Sequence, residues 1–282
     1  MCEFCMKHGE GEKWYLQAKN YSEDLLSDVH RRRFVEDFFT DTEGLARDVE
    51  RLEHLAKAPR IIRALISRIT SRKMKKIHFG QVVPIEEIEQ IFGFANSVVR
   101  VACICRHLTL GQEKRYCYGI SLGAGGGKMA EIVRGLDQKS FINAPDSAGI
   151  ETLTREEALA AFHAHEREGL CHSVWTFHTP FIGGICNCDR ADCLAMRSTV
   201  THAVPVMFRG EYVARVLSEE CAGCRECMRL CQFGALTYSA SNQKVYVDPR
   251  WCYGCGVCRA ACKKDAIRLV ERGSVPAAAN LW

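Results

Sequence analysis

Residues 221–231 read Cys-Ala-Gly-Cys-Arg-Glu-Cys-Met-Arg-Leu-Cys, and residues 252–262 repeat the same cysteine spacing as Cys-Tyr-Gly-Cys-Gly-Val-Cys-Arg-Ala-Ala-Cys. Each copy has the form C-x2-C-x2-C-x3-C and is followed by a small and an apolar residue, Ala235-Leu236 and Ala266-Ile267. Repetition of a whole unit indicates a duplicated supersecondary element. The two copies therefore predict one small domain built from two similar halves.

The spacing of these cysteines indicates iron–sulfur ligands. A cubane cluster has four irons, each bound by one thiolate, and in two-cluster proteins the fourth cysteine of each run serves the other cluster. On that rule the first cluster is held by Cys221, Cys224, Cys227 and Cys262, and the second by Cys252, Cys255, Cys258 and Cys231. Two zinc sites are the alternative, but zinc sites use C-x2-C pairs separated by a longer loop. The triplet spacing favours two [4Fe-4S] clusters.

This region resembles the two-cluster bacterial ferredoxin domain. Proteins of that family usually carry proline after the fourth cysteine of each run, whereas this chain has Gln232 and Lys263 there. Because that proline shapes the backbone and is not a ligand, the departure leaves the ligand assignment unchanged. The resemblance implies a duplicated ββ/αα ferredoxin-like fold over residues 209–272 and transfer of single electrons.

Cysteine is also the unusual feature of the composition. The chain has 282 residues, of which 17 are cysteine, a net charge of +4 and 47% hydrophobic residues. The odd number excludes complete disulfide pairing, and the sequence shows neither a signal peptide nor an apolar run long enough to cross a membrane. These features predict a cytoplasmic protein that uses thiolates as metal ligands, and they argue against a secreted disulfide scaffold.

The pattern of elements along the chain predicts an α+β protein. We expect a helical N-terminal region over residues 1–78, a mixed cysteine-rich middle domain over 79–208, the dicluster domain over 209–272 and a tail over 273–282. In the middle domain a strand is predicted over residues 98–105. A helix is predicted over residues 154–167, because Thr154 and Glu157 form a capping-box pattern.

Six cysteines of the middle domain form an ambiguous pattern, two C-x-C pairs that each have a third cysteine nearby. They are Cys103, Cys105, Cys117, Cys186, Cys188 and Cys193. Six thiols exceed the four that a structural zinc or a cubane cluster needs. The leading interpretation is a third [4Fe-4S] cluster held by four of them. The alternatives are a zinc or other metal site, and reduced or redox-active thiols.

The whole chain resembles a group of anaerobe proteins described as 4Fe-4S dicluster proteins. In that group a Cys-x-Cys-Arg segment, a helix that ends in Gly-Leu and a Cys-Asn-Cys segment precede a C-terminal ferredoxin domain. The matching segments of this chain begin at Cys103, Gly169 and Cys186. The resemblance implies anaerobic metabolism but no particular reaction.

The N-terminal residues Cys2, Cys5 and His8 also have the spacing of metal ligands. Three ligands form an incomplete set, so such a site needs a fourth group from elsewhere in the chain. Chance occurrence of a C-x2-C pair in a cysteine-rich chain is the alternative. Cys171 has no partner at a ligand spacing, so we expect a structural role for it.

A basic segment, residues 60–76, is predicted to be a helix with one apolar face. The favoured interpretation is that this face joins the core while the cations meet solvent or an acidic redox partner. Peripheral contact with a membrane surface is the alternative. Nucleic acid is not expected, because the helix predicted near Thr154 carries Glu156, Glu157 and Glu166, which phosphate repels.

The sequence therefore predicts an iron–sulfur electron-transfer protein. It would pass single electrons through two [4Fe-4S] clusters, or three with the middle site, to or from a partner oxidoreductase. The first alternative is an iron–sulfur enzyme or oxidoreductase subunit with a catalytic middle metal site. The second is a cluster-based redox-sensing regulator. An open coordination position at the middle site favours the enzyme, and full thiolate ligation near the ferredoxin clusters favours the carrier.

Overall fold

A computed structural model describes residues 2–56 and 58–282, without the side chains of residues 48–49, 52–56 and 60. The helices are α1 (Glu3–His8), α2 (Val29–Thr40), α3 (Thr42–Ala56), α4 (Arg60–Ile77), α5 (Ile85–Phe94), α6 (Ile104–Leu110), α7 (Gly127–Arg134), α8 (Arg155–Glu168), α9 (Leu194–Met196) and α10 (Glu226–Leu230). The strands are β1 (Gly80–Val82), β2 (Ser97–Val101), β3 (Cys117–Ser121), β4 (Glu151–Leu153), β5 (Cys171–Thr176), β6 (Ile182–Cys188), β7 (Met207–Phe208), β8 (Tyr212–Val216), β9 (Leu236–Ser239), β10 (Lys244–Val247) and β11 (Ile267–Glu271). The predicted α+β class is confirmed.

A seven-stranded sheet forms the middle of the molecule, in the order β4-β2-β3-β6-β5-β1-β7. Neighbouring strands are antiparallel except β1 and β7, which are parallel. The register places Cys117 of β3 opposite Cys186 of β6, and Cys171 of β5 opposite Cys188. Opposed residues have Cβ atoms only about 4.5–5.5 Å apart. Strand pairing therefore brings together cysteines that are distant in the sequence.

The helix predicted from the capping box is confirmed as α8. The Thr154 hydroxyl accepts a hydrogen bond from the Glu157 N–H at 3.2 Å, and the Glu157 carboxylate accepts one from the Thr154 N–H at 2.9 Å. Gly169 ends the helix in the left-handed conformation, with φ of 89°, which residues with a Cβ rarely adopt. Strand β5 begins two residues later and crosses the sheet.

The strand predicted over residues 98–105 is too long. Strand β2 ends at Val101, and Cys103 is the N-cap residue of α6. The chain leaves the sheet here because the Cys103 N–H bonds to the Lys114 carbonyl at 2.7 Å instead of to a strand neighbour. Cys105 consequently lies in the first turn of a helix rather than in a strand.

The N-terminal region shares its core with the middle sheet. The Phe4 ring packs against Trp14 and Phe79 with centroid distances of 5.7 and 4.8 Å. Trp282, from the other end of the chain, lies 5.0 Å from both Phe4 and Phe208. Aromatic pairs at such distances add about 0.5–1.5 kcal/mol each beyond the burial of their area. Both ends of the chain are thus fixed on one aromatic cluster.

The apolar face of α4 is exposed, so the expectation that it joins the core is wrong. Ile61, Leu65 and Ile69 are 84%, 61% and 59% exposed. The helix is attached through other groups, among them Ser67, whose hydroxyl donates to a carbonyl in the segment before β7 at 2.8 Å. Helix α4 therefore presents isoleucine and leucine side chains to the outside, along the same segment as its cations.

The C-terminal part forms two antiparallel ribbons, β8 with β11 and β9 with β10. Its own apolar cluster includes Val213, Leu236, Val245 and Ile267, and most of the cysteines of the two runs pack against these side chains. The loops that carry the cysteine runs are therefore supported by short, paired strands.

Candidate metal centres

The first predicted set of C-terminal cysteines lies together. We call Cys221, Cys224, Cys227 and Cys262 centre I. Burial, together with the negative charges of the other three thiols, raises the pKa of Cys227 to about 11. Cys262 belongs to this group although it comes from the second run, which agrees with the crossed pattern of two-cluster domains. Three cysteines of the first run and the last cysteine of the second run thus have the arrangement expected for one cubane cluster held by both halves of the domain.

The second predicted set also lies together. We call Cys252, Cys255, Cys258 and Cys231 centre II. Burial raises the pKa of Cys252 to about 11, and the charges of Cys255 and Cys231 contribute to the increase. The charges of Cys255, Cys252 and Cys231 likewise add to the effect of burial on the pKa of Cys258. Each raised pKa reflects several ionisable thiols close together, an arrangement that a bound metal would stabilise as thiolates.

Backbone N–H groups point at the sulfurs in a way that repeats between the two halves. The Ala235 N–H donates to Cys231 Sγ at 3.3 Å, and the Ala266 N–H donates to Cys262 Sγ at the same distance. These alanines are the small residues that follow each cysteine run in the sequence. Hydrogen bonds to cluster sulfurs are one of the means by which a protein sets a cluster potential. The two halves of the domain thus repeat the hydrogen bonds to their sulfurs as well as the spacing of their cysteines.

Gln232, which stands where the ferredoxin family usually has proline, joins the dicluster domain to the sheet. Its side-chain amide donates to the Gly169 carbonyl at 2.9 Å and accepts from the Arg190 N–H at 3.0 Å. Proline has no group that could make either bond. A second link is the ion pair between Arg259 and Glu86. The departure from the family pattern therefore has a structural reason, attachment to the middle domain.

The six middle cysteines converge on one site, which we call the middle centre. Cys117 Sγ lies 3.3 Å from Cys186 Sγ. Cys103 hydrogen-bonds with Cys105 and Cys117, and Cys193 does so with Cys105 and Cys188. The six sulfurs form one continuous chain of contacts, in the order Cys186, Cys117, Cys103, Cys105, Cys193 and Cys188. Strands β3 and β6 carry Cys117, Cys186 and Cys188. The start of α6 brings in Cys103 and Cys105, and the N-cap position of α9 brings in Cys193.

One buried cation stands beside the middle centre. Arg106 is 3% exposed, and its guanidinium donates to Cys103 Sγ at 3.7 Å and to the Asn187 carbonyl at 3.2 Å. It also pairs with Asp189 and lies 4.1 Å from the Tyr116 ring. Hydrogen bonds from Cys105 and Cys117, together with this cation, hold the pKa of Cys103 well below its usual range. The cation therefore favours the thiolate form of Cys103.

Cys171 connects the middle centre to centre II. It is fully buried in an apolar cluster that also contains Cys188, Cys193, Cys231 and Cys255. Burial raises its pKa, and a side-chain hydrogen bond with Cys255 raises it further. Sequence reasoning missed this position because an isolated cysteine gives no spacing signal. Only the pairing of β5 with β6, and their contact with the dicluster domain, reveals it.

The N-terminal cysteines meet a carboxylate rather than the predicted histidine. Among the described residues, Cys2, Cys5 and Glu211 have ligand atoms within 4.8 Å of one another. Cys2 Sγ lies 3.2 Å from Cys5 Sγ, which lies 3.6 Å from Glu211 Oε1. His8 is not part of this group, and its ring packs on Phe4 instead. The three groups could hold a metal ion with one further ligand.

Comparison with known proteins agrees with the geometry of centres I and II. Residues 208–266 match the 4Fe-4S dicluster domain family. The C-terminal part of the chain therefore belongs to that family and is an iron–sulfur domain. This confirms the class predicted from the two cysteine runs, an iron–sulfur domain of the electron-transfer type. None of the described helices is long and apolar enough to span a membrane.

The similar proteins are oxidoreductases or their subunits. Ferredoxin oxidoreductase 1 subunit ForD of Aquifex aeolicus is 33% identical over 66 residues, which are 21% of this chain and 84% of that protein. Indolepyruvate oxidoreductase subunit IorA of Pyrococcus horikoshii is 33% identical over 63 residues, 22% of this chain and 10% of that protein. The archaeal-type glutamate synthase (NADPH) of Thermotoga maritima is 35% identical over 57 residues, 20% of this chain and 11% of that protein. The chain thus spans about a tenth of the length of IorA.

Proposed function

We propose that this protein transfers single electrons through centres I and II and the middle centre, to or from a partner oxidoreductase in anaerobic metabolism. In this proposal centres I and II each hold a [4Fe-4S] cluster, and the middle centre holds a third. The observation that carries the proposal is the contact of Cys171 with Cys255, because it joins the middle centre to centre II through one buried side chain. A redox centre at that position extends the path of an electron beyond the dicluster domain.

The surroundings of the middle centre support a cluster rather than zinc. Six thiols form one continuous group here, which is enough for the four ligands of either a zinc ion or a cubane cluster, so the choice between them rests on the surroundings of the thiols. Clusters supply one-electron chemistry when bound, and the chain supplies the ligands and the environment. Arg106 offsets part of the thiolate charge, and this affects the energy of adding an electron.

The partner is proposed from the relatives. ForD and IorA are named as subunits of oxidoreductases, so a partner oxidoreductase is the simplest electron donor or acceptor.

We also propose that α4 contacts an anionic membrane surface. Its exposed Ile61, Leu65 and Ile69 provide apolar area, and the segment 60–77 has seven Lys and Arg residues but no Asp or Glu. Such a helix lies in the membrane interface with its apolar face towards the acyl chains.

The test is the metal content of the full chain after anaerobic purification. Three clusters require about twelve irons and as many acid-labile sulfides per chain, and two clusters require about eight. The double variant Cys103→Ala/Cys188→Ala should lose about four irons, while Cys171→Ala should lose none, because Cys171 is placed as a connector and not as a ligand. About eight irons together with zinc in the unmodified chain would assign a structural role to the middle centre if Cys103→Ala/Cys188→Ala loses the zinc, and to the group of Cys2, Cys5 and Glu211 if that variant keeps it.

The same samples address the two alternative functions. A regulator would retain a specific DNA sequence, and this retention would change when the clusters are oxidised. An enzyme would bind a small molecule at the middle centre. Small-molecule binding has a structural basis in a large cavity beside the six cysteines of the middle centre.

A further inference from the structure

A cavity of about 640 Å³ adjoins the middle centre. This volume includes the cysteine end, which the proposed metal centre would occupy in part. Small-molecule sites in proteins have volumes of about 300–1,000 Å³, so the space as a whole has the size of a site for a metal centre with a small ligand beside it. All six cysteines of the middle centre line one end of it. The cavity extends well beyond these sulfurs, between α2, α7 and the sheet, to the inner side of α4. A metal centre accounts for the cysteine end, and the remaining space is free for a ligand.

The walls beyond the cysteines are mainly apolar, and several aromatic rings stand among the aliphatic side chains. The rings include those of Phe38, Phe39, Phe141, Trp175 and Phe177. Aromatic side chains bind flat rings by stacking or edge contacts, and a lining with little polar surface disfavours a charged ligand. The walls therefore suit a neutral, ring-bearing compound.

One polar side chain stands among these rings. His78 lines the cavity, and its ring lies 5.0 Å from Trp175 and 5.1 Å from Phe177. Its Nδ1 is bonded to the Thr176 carbonyl and must therefore carry the proton, which leaves Nε2 as an acceptor. Burial lowers the pKa of His78 to about 4, so the ring is neutral at pH 7. An acceptor at this position suits a ring hydroxyl.

The open end of the cavity lies at α4. Ile66 and Ile69 belong to its lining, and both are also exposed at the surface, 37% and 59%. Lys73 is a further lining residue. The helix proposed to rest on a membrane is thus the helix at the entrance. A compound dissolved in the membrane could enter from there without crossing water.

We propose that this cavity binds a compound of the quinone–hydroquinone class, with its ring beside the middle centre. Such compounds combine a neutral apolar ring, hydroxyl groups in the reduced form and the capacity to exchange electrons with a neighbouring redox centre. The proposal deepens the electron-transfer function by naming the class of compound at one end of the path, and it rests on that function for the choice of a redox-active ring.

The first experiment measures binding to the anaerobically purified full chain with 2,3-dimethyl-1,4-naphthoquinone. Both ring carbons next to the carbonyls are blocked in this compound, so it does not alkylate the thiols. We expect saturable quenching of tryptophan fluorescence, since Trp175 lines the cavity. Trp175→Phe should remove the saturable part, and Trp251→Phe, at an exposed position outside the cavity, should keep it. Quenching that does not saturate, or that survives in Trp175→Phe, would overturn the proposal.

The second experiment fills the cavity and measures affinity by equilibrium dialysis. Val133 of α7 is buried and lines the cavity, whereas the neighbouring Ile132 does not. Val133→Phe should weaken binding at least about tenfold, equivalent to about 1.4 kcal/mol. Ile132→Phe, which adds the same ring to the same helix, should bind within about twofold of the unmodified chain. Equal affinity of the two variants would contradict the assigned site.

Iron content separates failure of this proposal from failure of the proposed function. About twelve irons without quinone binding would overturn the cavity assignment and leave the electron path intact. Quinone binding with about eight irons and zinc would overturn the third cluster and leave the cavity as a ligand site. If Val133→Phe does not fold, the comparison of Trp175→Phe with Trp251→Phe still decides the matter.

Discussion

Replacement of Arg272 by methionine should destabilise the protein severely. Arg272 is 1% exposed and pairs with Glu211, whose side chain is 5% exposed, at 2.9 Å. Its other nitrogens donate to the Gly210 carbonyl at 3.0 Å and to the Leu281 carbonyl at 2.7 Å. Methionine fills similar space but leaves the Glu211 carboxylate buried without its cation. Breaking a buried pair in this way costs about 3–5 kcal/mol.

That loss is a large part of the roughly 5–15 kcal/mol by which domains are usually stable. The assay is anaerobic urea unfolding, followed by tryptophan fluorescence and by the absorbance of the clusters in samples with equal iron content. The double variant Arg272→Met/Glu211→Leu should recover the part of the loss that comes from the unpaired carboxylate, but not the part that comes from the Gly210 and Leu281 carbonyls, which lose their donor in both variants. Arg250→Met is the matched control, since Arg250 pairs with Asp248 at the exposed surface.

The control should leave the unfolding midpoint where it is, because water solvates an exposed pair and competes with it. The reasoning fails if Arg272→Met unfolds at the same urea concentration as Arg250→Met. It also fails if the double variant is less stable than Arg272→Met, because the buried carboxylate would then not be the cause of the loss.

Four further predictions concern the centres and the surface. Cys262→Ala and Cys227→Ala should remove the same cluster and leave identical electron paramagnetic resonance spectra, since both thiols belong to centre I. Arg106→Met should lower the metal content of the middle centre, because it removes a positive charge 3.7 Å from Cys103 Sγ, worth about 4.5 kcal/mol at an effective dielectric constant of about 20. Arg106→Lys keeps the charge and should retain more metal. Burial raises the pKa of Glu166 to about 7 from 4.5. The folded state is therefore most stable below about pH 4.5, where this carboxyl is protonated, and its free energy of unfolding should fall by about 3 kcal/mol as the pH rises to about 7. Urea unfolding of Glu166→Gln should lack this dependence on pH. Leu65→Glu should abolish cosedimentation with anionic vesicles without changing the iron content, and equal binding of this variant would exclude α4 as the contact.

The local features of the chain were predictable from the sequence. The ligands of centres I and II lie at short, repeated spacings, and a loop of that spacing can wrap a cluster only in a few ways, so the cysteine runs alone indicated the domain. The capping box at Thr154 likewise determined where α8 begins, because the bonds involved span three residues. The extent of β2 was predicted less well. A strand ends where its hydrogen-bond partners end, and the partner of the Cys103 N–H is the carbonyl of Lys114, in the loop between α6 and β3.

The sequence by itself determined that this is an iron–sulfur protein with two duplicated cysteine runs, because ligand spacing is a local property of the chain. Only the tertiary structure decided that the six middle cysteines form one centre, that Cys171 connects it to centre II, and that Glu211 rather than His8 meets Cys2 and Cys5. These relations depend on strand register and on the packing of the dicluster domain against the sheet. The same packing leaves the apolar side of α4 exposed beside a cavity, although the helical pattern alone favoured burial in the core.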